Sequence, residues 1–340
     1  MLCPYCLEEV KEFIQTTARN SKAKLNTCPA CHKEVPILYA DEYHDYPNVI
    51  VNAIGFTQHG KTAYLTALFY ELWVRRKFDD GFFAMALDDE DLKTVYDNIN
   101  RWKKGQLHDA NPKVFPRPTI VRLNNLPGRR KNINCSLIVY DTSGEAFLDA
   151  DGLAEYAHFV QKAPTAMFMI SIPDIKTNGD DVAMEMKRLL NIYVMGMSKL
   201  GGDTKQQNLV VVYTKADLLQ EYTKGDWQDL DKYLKSGWIH PELKVARENF
   251  MRNLRMASDR LKEFTAKCLD AHQFISFAEQ RFRSVRYSMV SALGAAPDMQ
   301  SKTLLEKANP RCVLHPIIWK IVKSVLEPRK RGELSSTLLD

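Results

Sequence analysis

From residue 49 onward, short apolar runs alternate with longer segments in which apolar residues recur every three or four positions. The runs at 49–54, 119–123, 136–140, 166–172, 209–213 and 287–290 predict strands, and the periodic segments between them predict helices. This alternation predicts an α/β domain whose sheet is mostly parallel and covered on both faces. One link breaks the rule. Between the second and third runs lies only "NNLPGRRKN", whose Pro-Gly pair suits a tight turn, so one antiparallel hairpin is expected within the sheet. Two connections exceed what a minimal crossover needs. The first, 78–118, predicts a helix and then a Pro-rich loop; the second, 218–286, carries helical spacing through "VARENFMRNLRMASDRLKEFTAKCLDAH". Both read as insertions in a domain spanning 48–328, followed by a polar tail at 329–340. Residues 1–40 follow another pattern, two Cys-x-x-Cys pairs around a polar segment, and "ADEYHDYPN" reads as the linker between the two units.

Composition narrows the class. With 340 residues and 45% hydrophobic content, the chain can bury a sizeable core. Its 47 basic and 42 acidic residues leave a net charge of +5, too even a balance to call for a nucleic-acid partner. The basic runs at 129–131 and 279–287 are expected to be a hairpin tip and a solvated helix face. The acids at 88–91 are expected to serve the dipole at a helix start. No apolar run approaches the roughly 20 residues of a spanning helix. The start "MLCPYCLEEVKEF" lacks the apolar core of a secretion signal. A cytoplasmic protein without a membrane partner is therefore expected.

The chemistry begins at "GFTQHGKT", directly after the first predicted strand. Glycines at 55 and 60 followed by Lys61-Thr62 form the G-x-x-x-x-G-K-[ST] loop. The backbone over Gly55, Gln58, His59, Gly60 and Ala63 can wrap phosphates, Lys61 can reach the terminal ones, and the Thr62 hydroxyl can ligate Mg2+. "LIVYDTSGE" ends a strand with Asp141, which can hold Mg2+ through water, and places Gly144 where its N–H can meet a γ-phosphate. In "VVVYTKADLL", Thr214, Lys215 and Asp217 follow another buried strand. The Asp217 carboxylate can accept from N1–H and the exocyclic amine of guanine, whereas adenine would leave it unmatched. GTP and GDP are thus expected rather than ATP.

The ordered set "GFTQHGKT", "DTSG", "TKAD" and "SAL" resembles the guanine-nucleotide motifs of translation-factor-like phosphate-loop GTPases. With the cysteine module and the insertions, the whole is similar to the double-GTPase proteins of bacterial conflict and defence systems. That resemblance implies a Ras-like sheet, a GTP switch and a protein partner, an effector or a second GTPase. It also implies a last guanine-contacting loop at Ser291-Ala292, although a small-residue strand end has the same look. Thr214 stands where the family usually has asparagine, and its hydroxyl can still tie the base loop to the phosphate loop. Glu145 stands where glutamine or histidine usually orients the attacking water; a carboxylate facing γ-phosphate charge is a poorer positioner, so slow hydrolysis is expected. Thr119 is the best-placed switch-I threonine, or else an ordinary strand-start residue. A nucleotide-binding scaffold or nucleic-acid-binding module with little hydrolysis, recruited through the cysteine module, is the alternative function.

Cys3-Pro4-Tyr5-Cys6 and Cys28-Pro29-Ala30-Cys31 are two knuckles at zinc-ribbon spacing. Four thiolates at Cys3, Cys6, Cys28 and Cys31 make a closed structural Zn2+ site, with iron or a redox pair as alternatives. So short a unit buries little apolar surface and should depend on its metal, while the larger domain is expected to stand without it.

Overall fold

The computed structural model describes residues 1–17, 24–75, 81–106, 111–126, 132–222, 227–240, 249–295, 298, 303–304 and 307–326. The 129–131 run and the 329–340 tail lie outside the described residues. In chain order the elements are β1 (Ile14–Thr17), β2 (Lys24–Thr27), β3 (Glu34–Val35), α1 (Ile37–Asp41), β4 (Asn48–Ile54) and α2 (Lys61–Tyr70). Next come β5 (Phe83–Ala86), α3 (Asp89–Lys103), β6 (Thr119–Leu126), β7 (Ile133–Tyr140), α4 (Ala150–Tyr156), β8 (Thr165–Ile170), α5 (Ile172–Thr177) and α6 (Val182–Lys199). The last are β9 (Asn208–Tyr213), α7 (Gln228–Ser236), α8 (Asn249–Lys267), α9 (His272–Arg281), β10 (Ser284–Met289) and α10 (Leu314–Ile321).

A seven-stranded sheet has the order β10-β9-β8-β4-β7-β6-β5. Strands β10, β9, β8, β4 and β7 are parallel, and β6 is antiparallel to β7. Every residue of β8 and β9 is buried, the near-continuous apolar run of a strand covered on both faces. Side chains alternate between the faces: Ile50 and Ile54 of β4 join the core under α4, α6 and α9, while Val49, Val51 and Ala53 join the one under α2, α3 and α10. The five parallel strands bring their carboxyl ends to one edge, where loops can assemble a site.

Three expectations need correction. The connection at 78–118 holds a strand as well as a helix: β5 pairs antiparallel with β6 and extends the sheet. It is four residues long, and its outermost member, Phe83, is exposed, so no alternation marks it. The fourth apolar run stops at Ile170, and Ile172 opens α5 with Pro173 in its first turn, where proline's missing N–H costs nothing. The acids at 88–91 do more than serve a dipole. Asp88 caps α3 by accepting from the Asp91 amide at 2.7 Å, and Asp91 itself is fully buried, accepting from the Ile120 amide at 2.9 Å and from Arg117 at 2.6 Å.

The amino-terminal unit is a three-stranded antiparallel sheet, β1-β2-β3, with the two cysteine knuckles at one end. The knuckles share one geometry: the Leu7 amide bonds the Cys3 carbonyl at 3.0 Å, and the His32 amide bonds the Cys28 carbonyl at 2.9 Å. Leu7 and His32 both take positive φ, 64° and 58°, as so tight a turn demands. The unit does not stand apart from the larger domain. Cys3, Leu7, Phe13, Cys28, Val35 and Tyr39 are buried in the same apolar cluster as Ile50, Ile120 and Tyr140 of the large sheet.

Candidate nucleotide site

The loop after β4 is shaped by positions that exclude side chains. A Cβ on Gly55 would lie 2.6 Å from the Met169 carbonyl of β8, so the loop leaves the sheet too close to its neighbour for any other residue. Gly60 caps α2 with φ +76°, and Gln58 is exposed with φ +67°. The buried Lys61 turns back across the loop, donating to the Gly55 and Phe56 carbonyls at 2.8 Å each. Burial pulls its pKa down to about 8, opposed by the Asp141 carboxylate. His59, also buried, faces the Met169 carbonyl through Nδ1 at 2.9 Å, and burial lowers its pKa to about 4.

Asp141 follows β7, the parallel neighbour of β4, so it emerges beside the phosphate loop. The Thr62 hydroxyl donates to its Oδ1 at 3.2 Å, and burial raises the carboxyl's pKa against the pull of Asn111, Thr62 and Lys61. Gly144 sits on the loop itself: a Cβ there would lie 2.2 Å from the Thr57 nitrogen and 2.6 Å from the Phe56 carbonyl carbon. The neighbouring Glu145 is exposed, its amide capped by Ser143 Oγ at 3.3 Å.

The loop after β9 joins this edge. Thr214 Oγ1 lies 3.0 Å from the His59 carbonyl and 3.3 Å from that of Ile170, so its one hydrogen links the third motif to the first. Lys215 takes φ +51° and pairs with Asp174 of α5 at 2.7 Å. Asp217 is half-exposed one turn on. Ser291 is fully buried and accepts from the Gly294 amide at 2.8 Å, and the Ala216 amide bonds the Val290 carbonyl at 3.1 Å; Ser291-Ala292 thus flanks the Lys215–Asp217 loop. Ala63 lies half-buried in the first turn of α2.

Thr119 opens β6 opposite Val139, two residues before Asp141, as a strand-start residue of the β6–β7 ladder. Among the described residues, the segment before β6 instead sends Asn111 to the site, its Nδ2 at 3.3 Å from both Thr62 Oγ1 and the Asp141 carbonyl. An asparagine before a proline in a polar stretch carries no mark of this in the sequence.

The four knuckle sulfurs lie within 4.8 Å of one another. Cys3 and Cys31 approach to 3.8 Å, as do Cys6 and Cys28. Tetrahedral Zn–S bonds of about 2.3 Å place sulfurs about 3.8 Å apart, so the donor set is compatible with Zn2+.

Fold and site together define a phosphate-loop protein of the GTPase class. The chain belongs to the Double-GTPase 2 family, whose model matches residues 49–265. Among solved structures it is similar to a chain of the signal recognition particle receptor SRb-GTP/SRX complex from Chaetomium thermophilum, at 14% identity and a TM-score of 0.33 over 75% of this chain and 95% of that one. No curated protein matches the chain. Among the described residues, no helix is long and apolar enough to cross a membrane.

Proposed function

We propose that the chain binds GTP and Mg2+ at this edge, hydrolyses the nucleotide slowly, and acts as a switch read by a protein partner, an effector or a second GTPase. The observation that carries this is the convergence of three loops from the parallel strands β4, β7 and β9, with Thr62 touching Asp141 and Thr214 touching the His59 carbonyl. Lys61 holds two loop carbonyls and has its charge available for the terminal phosphates. Thr62 and Asp141 are the oxygen donors for Mg2+, which when bound neutralises developing charge on the phosphates. Gly144 packs against the phosphate loop, where its amide suits a γ-phosphate contact, while Asp217 suits the guanine edge. Glu145 is a carboxylate in the place from which water must be oriented, which supports slow turnover. The family resemblance favours a role in a bacterial defence or conflict system.

Direct titration with GTP, GDP and ATP, with phosphate release by wild type and Lys61→Ala, tests the proposal. Guanine-selective binding and turnover lost in the variant are expected. ATP binding as tight as GTP would overturn the guanine assignment, and turnover no greater than the variant's would leave only the scaffold reading.

A further inference from the structure

The first cysteine knuckle touches the nucleotide site from behind. Tyr140, the residue before Asp141, donates its buried hydroxyl to the Pro4 carbonyl at 2.6 Å, inside the Cys3–Cys6 turn. Its ring stacks on Phe159 with centroids 4.4 Å apart and lies 5.9 Å from Phe115. Phe115 lies four residues after Asn111 in the segment before β6, and it stacks in turn on His158 at 4.2 Å. Arg117, at the end of that segment, places its guanidinium 6.0 Å over the ring of Tyr5, again within the knuckle, while pairing with Asp88 and Asp91 at 2.9 and 2.6 Å. Both pieces of chain that reach Thr62 are therefore backed by the same four-residue turn. One arrives through Asp141 and the other through Asn111.

We propose that Tyr140 and the Cys3–Cys6 knuckle are positioning elements for the nucleotide site, so that metal held by the four thiolates and nucleotide held by the phosphate loop stabilise each other. This rests on the nucleotide-site reading above. Without metal the Cys3–Cys6 turn loses its strongest restraint, the Pro4 carbonyl is held less firmly against Tyr140, and Asp141 and Asn111 lose part of their backing. Linkage is reciprocal: whatever factor zinc adds to nucleotide affinity, nucleotide must add to zinc retention. One buried hydrogen bond exchanged between states corresponds to about three- to tenfold.

The test follows zinc rather than turnover. Full-length zinc-loaded protein is mixed with a chromogenic chelator, and metal release is timed without nucleotide and with saturating Mg2+ and β,γ-imido-GTP; a separate fluorescence titration establishes that the analogue binds. Release about three- to tenfold slower with the analogue is expected. Tyr140→Phe keeps the ring stack and removes only the hydroxyl, and it should bring the two release rates together. Should that variant fail to fold, the wild-type comparison alone decides. Analogue that binds without altering zinc release overturns the linkage and leaves the nucleotide site standing. Analogue that does not bind overturns both.

Discussion

Gly144→Ala is the sharpest probe of how the Asp-Thr-Ser-Gly turn meets the phosphate loop. The added methyl carbon would stand 2.2 Å from the Thr57 nitrogen, 2.5 Å from its Cα and 2.6 Å from the Phe56 carbonyl carbon. Against the roughly 3.5 Å at which such contacts become favourable, turn and loop must part by more than about 1 Å. All three obstacles are backbone, so no side chain can swing away, and the cost should sit at the upper end of overpacking, about 3 kcal/mol. For a domain of this size that lowers the melting temperature by about 6–12 °C. Gly201→Ala is the control: with φ +68° and nothing within 4 Å of its Cβ, it bears left-handed strain alone, about 1 kcal/mol or 2–4 °C. The assays are thermal unfolding and titration with β,γ-imido-GTP. Gly144→Ala should also lose at least about tenfold in affinity, because a shift of about 1 Å in the phosphate cradle disrupts aligned contacts. The reasoning is refuted if both variants melt together and bind alike.

Asp217→Asn should weaken guanine nucleotides by roughly 10²- to 10⁴-fold and improve xanthine nucleotides, as two hydrogen bonds to a charged acceptor are inverted; competition binding with GTP and XTP checks it. His59 sets an acid limit. Its folded pKa of about 4 lies below the ordinary 6.5, so its contribution is complete above pH 6.5 and falls by about 1.4 kcal/mol per unit as pH drops toward 4. Urea unfolding at pH 7 and 5 should show about 2 kcal/mol of loss from this group in wild type, and His59→Gln should lack that share. Chelation, or a joint Cys28→Ser and Cys31→Ser change, should release about one zinc per chain, expose residues 1–40 to protease, and also lower the melting temperature of the large domain; an unchanged melting temperature would mean the shared apolar cluster contributes nothing.

The parallel strands were legible because burial on both faces leaves a continuous apolar run, as "TAMFMI" and "NLVVVY" show. The phosphate loop was legible because its geometry forbids most residues, which leaves fixed glycines as a trace. What escaped depends on tertiary neighbours. β5 is an edge strand of four residues whose meaning comes from its pairing with β6. The supposed linker at 40–48 looked polar, yet its tyrosines are structural: Tyr46 donates to Asn124 at 2.6 Å, and the Arg122 guanidinium lies 3.8 Å over its ring. Asn111 could not be chosen from the sequence over any other polar residue before the second strand, because only the path of the chain brings it to Thr62.

Tyr39, Tyr43 and Tyr140 tie the amino-terminal unit to the larger domain. Buried main-chain carbonyls and amides need partners, and the second knuckle has them in β2 and β3 on either side. The first knuckle bonds the Cys3 amide to the Glu8 carbonyl and the Leu7 amide to the Cys3 carbonyl, each at 3.0 Å, beside an isolated bridge between Leu2 and Glu9. Three more of its groups are met from outside: Tyr39 donates to the Leu2 carbonyl at 2.8 Å, the Leu2 amide donates to Tyr43 at 2.8 Å, and Tyr140 donates to the Pro4 carbonyl. Tyrosine suits this task, since its ring fills the shared apolar cluster while its hydroxyl crosses to a backbone group that phenylalanine would leave unpaired. Asn48, at the start of β4, donates to the Tyr39 hydroxyl at 3.0 Å and so ties the network to the strand that carries the phosphate loop. The first knuckle is thus the one joined to β4 and β7, so loss of its metal should be felt at the nucleotide edge before the far side of the sheet.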